Sequence, residues 1–251
     1  MKETRRYRGK SKSKIEIVCD PDIVGRTYQL VTEPNAITYY VLAAYYTFAF
    51  APYVRDEVEV FTTSVLKALP LLFYVTVIRF TQTYSCRNHS SYCKYVAIGL
   101  LLSACSDGIL SYNSDYFIHA VTLYSLSNLC YIGALYQYYN GAGLSWAVFP
   151  VNMILMYGLY RLVSGYLSGL VLFVYGCFLT VTTFFAFARF KSNRTAPAYL
   201  GVVGAILLQF SNALYAIGEF APGYTCLVSP ELIMMTYYLA QLGFGLSVRY
   251  C

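Results

Sequence analysis

The chain has 251 residues, of which 58% are hydrophobic and only 12% charged, and its formal net charge is +6. A soluble domain carries about twice this share of charged residues, so the composition excludes an ordinary soluble enzyme and indicates a membrane protein. The positive charge lies mostly in the N-terminal tail and between apolar runs, where it attracts anionic lipid. This distribution excludes a nucleic-acid-binding protein.

The first 35 residues are polar and basic, and a series of apolar runs follows them. Because the first run begins late and is long, we expect no cleaved secretory signal. A run of about 20 apolar residues crosses a bilayer as a helix, since lipid offers no partner to unpaired backbone groups. Eight such runs occur, in this order: 36–54, 60–78, 93–110, 117–137, 144–160, 166–188, 199–218 and 230–248.

These runs predict an all-α integral membrane protein with eight transmembrane helices. Residues 36–251 form its membrane domain, and residues 1–35 form a cytosolic tail whose composition is compatible with disorder. If the N-terminus is cytosolic, 15 of the 18 Lys and Arg residues lie in cytosolic segments. The positive-inside rule therefore predicts that both termini face the cytosol.

The sequence offers little to bind a metal. Its eight cysteines are spread through predicted spans and cytosolic segments without CxxC spacing, and His89 and His119 are its only histidines. Carboxylates do not cluster within the spans. We therefore expect neither a metal site nor a cofactor.

One sequence block occurs twice, at Gly99–Leu110 in the third span and Gly204–Tyr215 in the seventh. Both copies follow the pattern G-x6-S-[D/N], in which a serine precedes Asp107 in the first copy and Asn212 in the second. A carboxylate and its polar isostere thus occupy equivalent positions.

The helix after each copy repeats as well. Tyr124–Tyr131 and Tyr237–Phe244 share the pattern Y-x-L-[S/A]-[N/Q]-L-x-[Y/F]. Two matches in the same order favour an internal duplication. Because spans that lie four apart run in the same direction, the repeat predicts two tandem four-helix halves.

Five polar side chains lie away from the ends of the predicted spans. Lys67 and Asp107 are charged, and Asn128, Asn212 and Gln241 are neutral. Charges at membrane depth are stable only when they face the interior of a bundle. Helix rise places all five groups in the non-cytosolic half, so we expect them to line one cavity that opens away from the cytosol.

Simpler structural explanations remain open for these residues. Lys67 can extend its amine to the interface, and Asn128 or Gln241 can hydrogen-bond neighbouring helices. Asp107 can be hydrated near the end of its span. The equivalent position of Asn212 argues instead for a paired role.

Three further residues stand near this group. Ser106 and Ser211 precede Asp107 and Asn212, where each supplies either a hydrogen bond or a small packing side chain. His119 is either a base that reaches Asp107 or an interfacial residue, and its place near the end of a span favours the interface.

Five segments occur in the order and with the spacing of a known family. They are Lys67-Ala-Leu-Pro70, the Gly-x6-Ser-Asp block that ends at Asp107, Phe117–Tyr131, Gly204–Leu214 and Tyr237–Gln241. Together, across residues 60–248, they resemble the lysoplasmalogenase family of YhhN-like membrane proteins.

The resemblance implies an eight-helix hydrolase that cleaves the vinyl ether bond of lysoplasmalogens with a choline or ethanolamine head group. The products are a fatty aldehyde and a glycerophospho-head group, which places the protein in ether lipid metabolism. The implied partners are the lysophospholipid substrate and the bilayer. We expect a multi-pass protein of the endoplasmic reticulum or another internal membrane.

Vinyl ether hydrolysis needs a positioned acid, a group that stabilises an oxocarbenium ion or orients water, and room for a lipid chain. The resemblance implies that Asp107 is the general acid and that Asn212 is its catalytic partner. Lys67 would bind the phosphate, whose charge it matches. Six further residues would complete the substrate site: Asn128, Tyr131, Tyr237, Gln241, Ser106 and Ser211.

This sequence departs from the family pattern at two positions. The family usually has His where Asn128 stands and a second Asp where Asn212 stands. Asparagine keeps the shape of aspartate but cannot transfer a proton. Catalysis survives if Asp107 alone protonates carbon; otherwise the chain is an impaired family member that binds lysolipid.

A transporter of small solutes is a third possibility, suggested by the repeat and the polar cavity. Such carriers use paired helices interrupted by Gly or Pro at their binding sites. Pro70 and Pro150 do not occupy equivalent positions of the repeat, which weighs against a transporter.

Overall fold

The structure is a computed structural model that describes residues 22–49, 60–85, 90–138, 147–162, 166–221, 223–224 and 228–248. Within these ranges the chain is all-α, as predicted: it forms nine α-helices and a 3-10 turn at Ser114–Tyr116, without a β-strand. The helices are α1 (Ile23–Val31), α2 (Pro34–Ala49), α3 (Val60–Ser85), α4 (Ser90–Tyr112), α5 (Phe117–Tyr136), α6 (Val148–Leu162), α7 (Tyr166–Ser192), α8 (Ala196–Phe220) and α9 (Pro230–Leu246).

Each predicted apolar run coincides with one of the helices α2 to α9. Five of these helices contain stretches long and apolar enough to cross a membrane: Phe61–Phe80, Ser91–Tyr112, Phe117–Tyr136, Gly169–Ser192 and Ala196–Phe220. The other three, α2, α6 and α9, have 16, 15 and 17 residues, fewer than the roughly 20 that span a bilayer upright.

Part of the segment assigned to the tail is helical. The side chain of Asp22 caps α1 by accepting a hydrogen bond from the backbone N–H of Gly25 at 2.9 Å, and α1 packs against α8. Several predicted features lie outside the described residues: the tail up to residue 21, residues 50–54 and 144–146 of two predicted spans, His89, and Cys19, Cys86, Cys226 and Cys251.

The duplicated blocks form two helix pairs with matching contacts. The hydroxyl of Ser106 in α4 donates to the carbonyl oxygen of Ala120 in α5 at 2.6 Å. Ser211 in α8 donates in the same way to Ile233 in α9 at 2.9 Å. Ala120 and Ile233 stand at the same place in the repeat, four residues before its first tyrosine. The two serines therefore join equivalent helices at equivalent positions.

The two helix pairs meet through aromatic side chains of α5 and α9. Tyr131 and Phe244, which the repeat aligns, stack face to face with ring centroids 4.4 Å apart and an angle of 7° between the ring planes. Tyr124 and Tyr237, the preceding aligned pair, meet edge to face at 6.5 Å. Equivalent residues of the two repeated blocks thus contact each other across α5 and α9.

Glycines allow α8 and α9 to cross closely. A Cβ atom on Gly204 would lie 2.8 Å from the carbonyl oxygen of Ala240, and one on Gly243 would lie 2.8 Å from the Cα of Gly204. Small residues permit such backbone contact between membrane helices, where packing drives association. This crossing holds the helix of Asn212 against the helix of Tyr237.

We expect Gly204→Ala to destabilise the protein by about 1–3 kcal/mol, because the new methyl group meets rigid backbone. The matched control is Gly158→Ala in α6, where a Cβ atom would have no neighbour within 4 Å and stability should not fall. Thermal unfolding in detergent measures both variants. Equal melting temperatures would show that the α8–α9 crossing tolerates a side chain.

Candidate functional site

A buried carboxylate lies where four helices converge. Asp107, in α4, is 1% exposed and accepts hydrogen bonds from the hydroxyls of Tyr124 in α5 and Tyr237 in α9, each at 2.6 Å. The amine of Lys67 in α3 lies 3.6 Å from the Oδ1 atom of Asp107. Both carboxylate oxygens are therefore engaged, one of them also in an ion pair.

Both halves of the repeat hold this carboxylate. Tyr124 and Tyr237 are the aligned first residues of the repeated α5 and α9 blocks, yet both bond to Asp107. Tyr238, the residue after Tyr237 in α9, holds the backbone at Lys67. Its hydroxyl donates to the carbonyl oxygen of Lys67 at 2.8 Å. Tyr39 in turn donates to the carbonyl oxygen of Tyr238 at 2.9 Å.

The contacts of this centre suit an ionised carboxylate. An ionised aspartate only accepts hydrogen bonds, and here two hydroxyls and one ammonium group point at its oxygens. Charge-assisted bonds of this kind are shorter and stronger than neutral ones. They offset the cost of placing Asp107 and Lys67 away from water.

A cavity opens beside this centre and is lined by residues of α3 to α9. It has an empty volume of about 930 Å³, including the space at its mouth. Lys67, Asp107, Tyr124, Asn212 and Tyr237 supply its polar wall. The rest of the lining is mainly apolar and includes Leu110, Phe117, Met156, Leu172, Phe173 and Ile233. A few polar groups in an apolar cleft are typical of a site for a small amphiphilic ligand.

Asn212 lies on the cavity wall but makes no hydrogen bond to Asp107. Its side-chain amide donates to the carbonyl oxygen of Leu208 at 2.7 Å, one turn back along α8. The hydroxyl of Tyr175 in α7 lies within interaction range of both Asn212 and Asn128. One of the two N–H groups of the Asn212 amide is therefore occupied by the backbone of its own helix.

The expectation that five polar groups line one cavity is wrong for two of them. Asn128 and Gln241 are buried one helical turn beyond Tyr124 and Tyr237, and neither lines the cavity. Tyr131, predicted to bind substrate, also lies outside its lining. The helices pack tightly at this level, so these polar groups form hydrogen bonds within the protein: Tyr131 with Gln241, and Asn128 with Thr182 and Tyr124.

The contacts of this deeper layer are complete. Tyr131 donates to the Oε1 atom of Gln241 at 2.7 Å, and Thr182 donates to the Oδ1 atom of Asn128 at 3.1 Å. Asn128 also donates to the carbonyl oxygen of Tyr124 at 2.9 Å. Hydrogen bonds between neighbouring helices, one of the simpler explanations, describe this layer.

The two serines of the repeat donate to backbone carbonyl oxygens rather than to a ligand. Ser106 is fully buried against α5, whereas Ser211 borders the cavity while its hydroxyl bonds to α9. His119 is exposed and packs edge to face on Tyr116, with ring centroids 5.6 Å apart. The interfacial interpretation therefore fits His119.

Sequence reasoning did not select Tyr124 or Tyr175 for the site. For Tyr124 a signal existed, because it aligns with Tyr237 in the repeat and Tyr237 was selected. Tyr175 belongs to no repeated motif and reaches the cavity through the packing of α7. Its place could not have been read from the sequence.

The fold and the site define an α-helical bundle of membrane type with a buried Lys–Asp pair at an apolar cavity. A model of the YhhN family matches residues 62–248, which include α4 to α9, nearly all of α3 and every residue of the Asp107 centre. The chain therefore belongs to the YhhN family, and the resemblance to lysoplasmalogenase-type proteins is confirmed at the level of the family. No curated protein and no solved structure matches the chain.

We expect Lys67→Met and Asp107→Asn each to destabilise the protein by about 3–5 kcal/mol, because each leaves the opposite charge buried without its partner. The double variant should lose less than the sum of the two single losses, since it buries no net charge. Chemical unfolding in mixed micelles measures all three.

Lys191→Met is a suitable control, because Lys191 is exposed at the end of α7 and its loss should have little effect on stability. Strictly additive losses from Lys67→Met and Asp107→Asn would contradict a stabilising pair.

Proposed function

We propose that the protein is a membrane-embedded hydrolase that cleaves the vinyl ether bond of lysoplasmalogens and releases a fatty aldehyde. The observation that carries this proposal is the buried Asp107, held by two hydroxyls and an amine at the wall of an apolar cavity. Membership of the YhhN family supports it. A carboxyl group at the wall of an apolar cavity is suited to contact a lipid chain at the end that joins its head group.

The reaction begins when a proton adds to the β-carbon of the vinyl ether. The resulting oxocarbenium ion takes up water at the carbon next to oxygen and loses a proton, which forms a hemiacetal. The hemiacetal then breaks its bond to the glycerol oxygen, which takes up a proton, and leaves an aldehyde. One water molecule is consumed, and no net proton or electron is exchanged.

We propose that the substrate itself converts Asp107 into the acid. When the lipid phosphate binds Lys67, it replaces the carboxylate as the partner of the ammonium group. Asp107 is then left beside an apolar wall, which favours its protonated form. After Asp107 delivers the proton, the restored carboxylate lies close to the oxocarbenium ion and stabilises its positive charge.

Tyr124 and Tyr237 hold the carboxyl group in place while its proton moves, because each binds one of its oxygens. Asn212 accepts a hydrogen bond from the attacking water but cannot take its proton. Water therefore attacks the oxocarbenium ion without a strong base. The reaction remains possible, because the ion is a reactive electrophile, but a carboxylate at position 212 would assist it.

A second candidate function is the binding of lysolipid without turnover. The observation that favours it is Asn212 itself, whose amide already donates one hydrogen bond to Leu208 and whose side chain has no acid–base chemistry. In this case Lys67 and the cavity hold the lipid, and Asp107 only balances the charge of Lys67.

We also propose that α2 to α9 form the eight spans and that both termini face the cytosol. The side-by-side arrangement of these helices and the excess of Lys and Arg in segments assigned to the cytosol support this topology. The cavity then opens toward the lumenal face of the endoplasmic reticulum or another internal membrane.

Asp107→Asn should lower aldehyde release from a lysoplasmenylcholine by about 100-fold or more, the range expected when a general acid is lost. Asn212→Asp should increase it, because it restores a base for the attacking water. Mass spectrometry of the released aldehyde, with purified protein in lipid nanodiscs, measures both effects.

Asp115→Asn is the matched control, because Asp115 is an exposed carboxylate on the turn between α4 and α5. It should leave the rate unchanged. Saturable lysolipid binding without aldehyde from the unmodified protein would overturn the hydrolase proposal and support the second candidate.

The topology makes a separate prediction for microsomes. Epitope tags at either end should be digested by protease added outside, whereas a glycosylation sequon introduced within residues 50–59 should be modified. A lumenal marker protein that resists the protease serves as the control. Protection of the C-terminal tag would mean that the number of spans is odd.

A further inference from the structure

The side chain of Gln209 has a buried amide nitrogen with no hydrogen-bond partner among the described residues. Gln209 lies near the middle of α8, one turn before Asn212 and on the same face, at the cavity. A buried amide without a partner loses hydrogen-bond free energy, so such groups are rare in native structures. A ligand that offers an acceptor oxygen would satisfy it.

Gln209 stands where the main cavity meets a second, apolar groove between α6, α7 and α8. Four residues line both spaces: Met156, Leu159, Gln209 and Ala213. The two spaces are therefore neighbours along one wall, and Gln209 is the polar group at their junction.

Along α6 and α7 the groove extends away from the charged centre, whereas along α8 it runs from Ile206 to Ile217. In α7 the cavity is lined by Tyr175 and Leu179, whereas the groove is lined by Thr183 and Phe187, two turns further along. In α6 the groove continues back to Ala147. Nearly all of its lining is aliphatic or aromatic, which suits a hydrocarbon chain.

We propose that this groove binds the single aliphatic chain of a lysophospholipid and that the amide of Gln209 donates a hydrogen bond to an oxygen of its glycerol backbone. The inference rests on the proposed function, since it describes how the same cavity recognises its substrate. Lys67 supplies a cation, Gln209 supplies a neutral hydrogen-bond donor, and the groove supplies an apolar channel. A lysophospholipid presents a phosphate, glycerol oxygens and a chain in the same order.

This arrangement also matches the orientation of a lipid in a bilayer. Asp107 and Asn212 lie five and eight residues from the ends of α4 and α8 that flank the cavity, whereas Gln209 lies eleven residues from the end of α8. Gln209 therefore lies deeper than the charged centre, and the groove extends past it to Ile206 in α8 and to Thr183 and Phe187 in α7. A lysolipid that enters head first from the adjacent leaflet keeps its chain directed toward the middle of the membrane.

Binding is measured with a saturated alkyl-ether lysophosphocholine, which has no vinyl ether bond and cannot be cleaved by this chemistry. In lipid nanodiscs, Gln209→Leu should weaken its affinity by roughly three- to tenfold, the loss expected for one hydrogen bond. The control is Gln137→Leu, an exposed amide at the end of α5 that lines neither space. It should bind like the unmodified protein.

The groove is tested with Val151→Trp, which places a large side chain on its α6 wall. The variant should weaken binding of a long-chain alkyl-ether lysophosphocholine more than that of a short-chain one. Val174→Trp is the matched control, because Val174 is a similarly exposed valine in α7 that lines neither space.

The two proposals fail in different ways. If the unmodified protein releases aldehyde but Gln209→Leu and Val151→Trp bind like their controls, the lysolipid groove is wrong and the hydrolase stands. If the expected losses of binding occur without aldehyde from the unmodified protein, the groove stands and the hydrolase is wrong.

Discussion

The structure depends on one constraint, which is that a lysine and an aspartate are buried together within a bundle of apolar helices. An isolated charge there costs several kcal/mol, so Lys67 and Asp107 must contact each other and Asp107 must use its remaining acceptor capacity. The hydroxyls of Tyr124 in α5 and Tyr237 in α9 donate hydrogen bonds to the two oxygens of Asp107. The pair therefore fixes the relative positions of α3, α4, α5 and α9, and the cavity is a consequence of where these helices meet.

The repeated sequence block accounts for the two tyrosines that bond to one carboxylate. Each half of the chain carries a tyrosine at the first position of its repeated block, and these equivalent residues lie on either side of the centre of the bundle. A group placed near that centre can be reached from both. Asp107 occupies such a position, so a symmetric scaffold supplies both donors of an asymmetric site.

The all-α fold and the long apolar helices could be predicted from the sequence, because the length of each hydrophobic run determines them directly. Lys67 and Asp107 could be selected because charges are rare in such runs. The separation of Asn128 and Gln241 from the cavity could not be predicted. It depends on side-chain packing one turn deeper. Hydrophobicity along the chain does not indicate which polar side chains are hydrogen-bonded to neighbouring helices and which face a cavity.

The position of Gln209 was missed for a related reason. A glutamine in an apolar helix resembles Gln241, and only the packed structure shows that Gln241 is bonded on both sides whereas the amide nitrogen of Gln209 has no partner among the described residues. The two side chains are chemically identical. Their difference lies wholly in the neighbours that the fold provides.

The asparagine at position 212 also affects the charge balance of the cavity, in addition to removing an acid. Among the described residues that line the cavity, Lys67 is the one cation and Asp107 the one anion, so the ligand-free site is neutral. An arriving phosphate must compete only with Asp107 for the ammonium group. A second carboxylate at position 212 would add repulsion against the same phosphate while offering a base to the attacking water. Asparagine at this position therefore favours retention of the lipid phosphate over rapid attack by water, and binding and turnover make opposite demands on this one side chain.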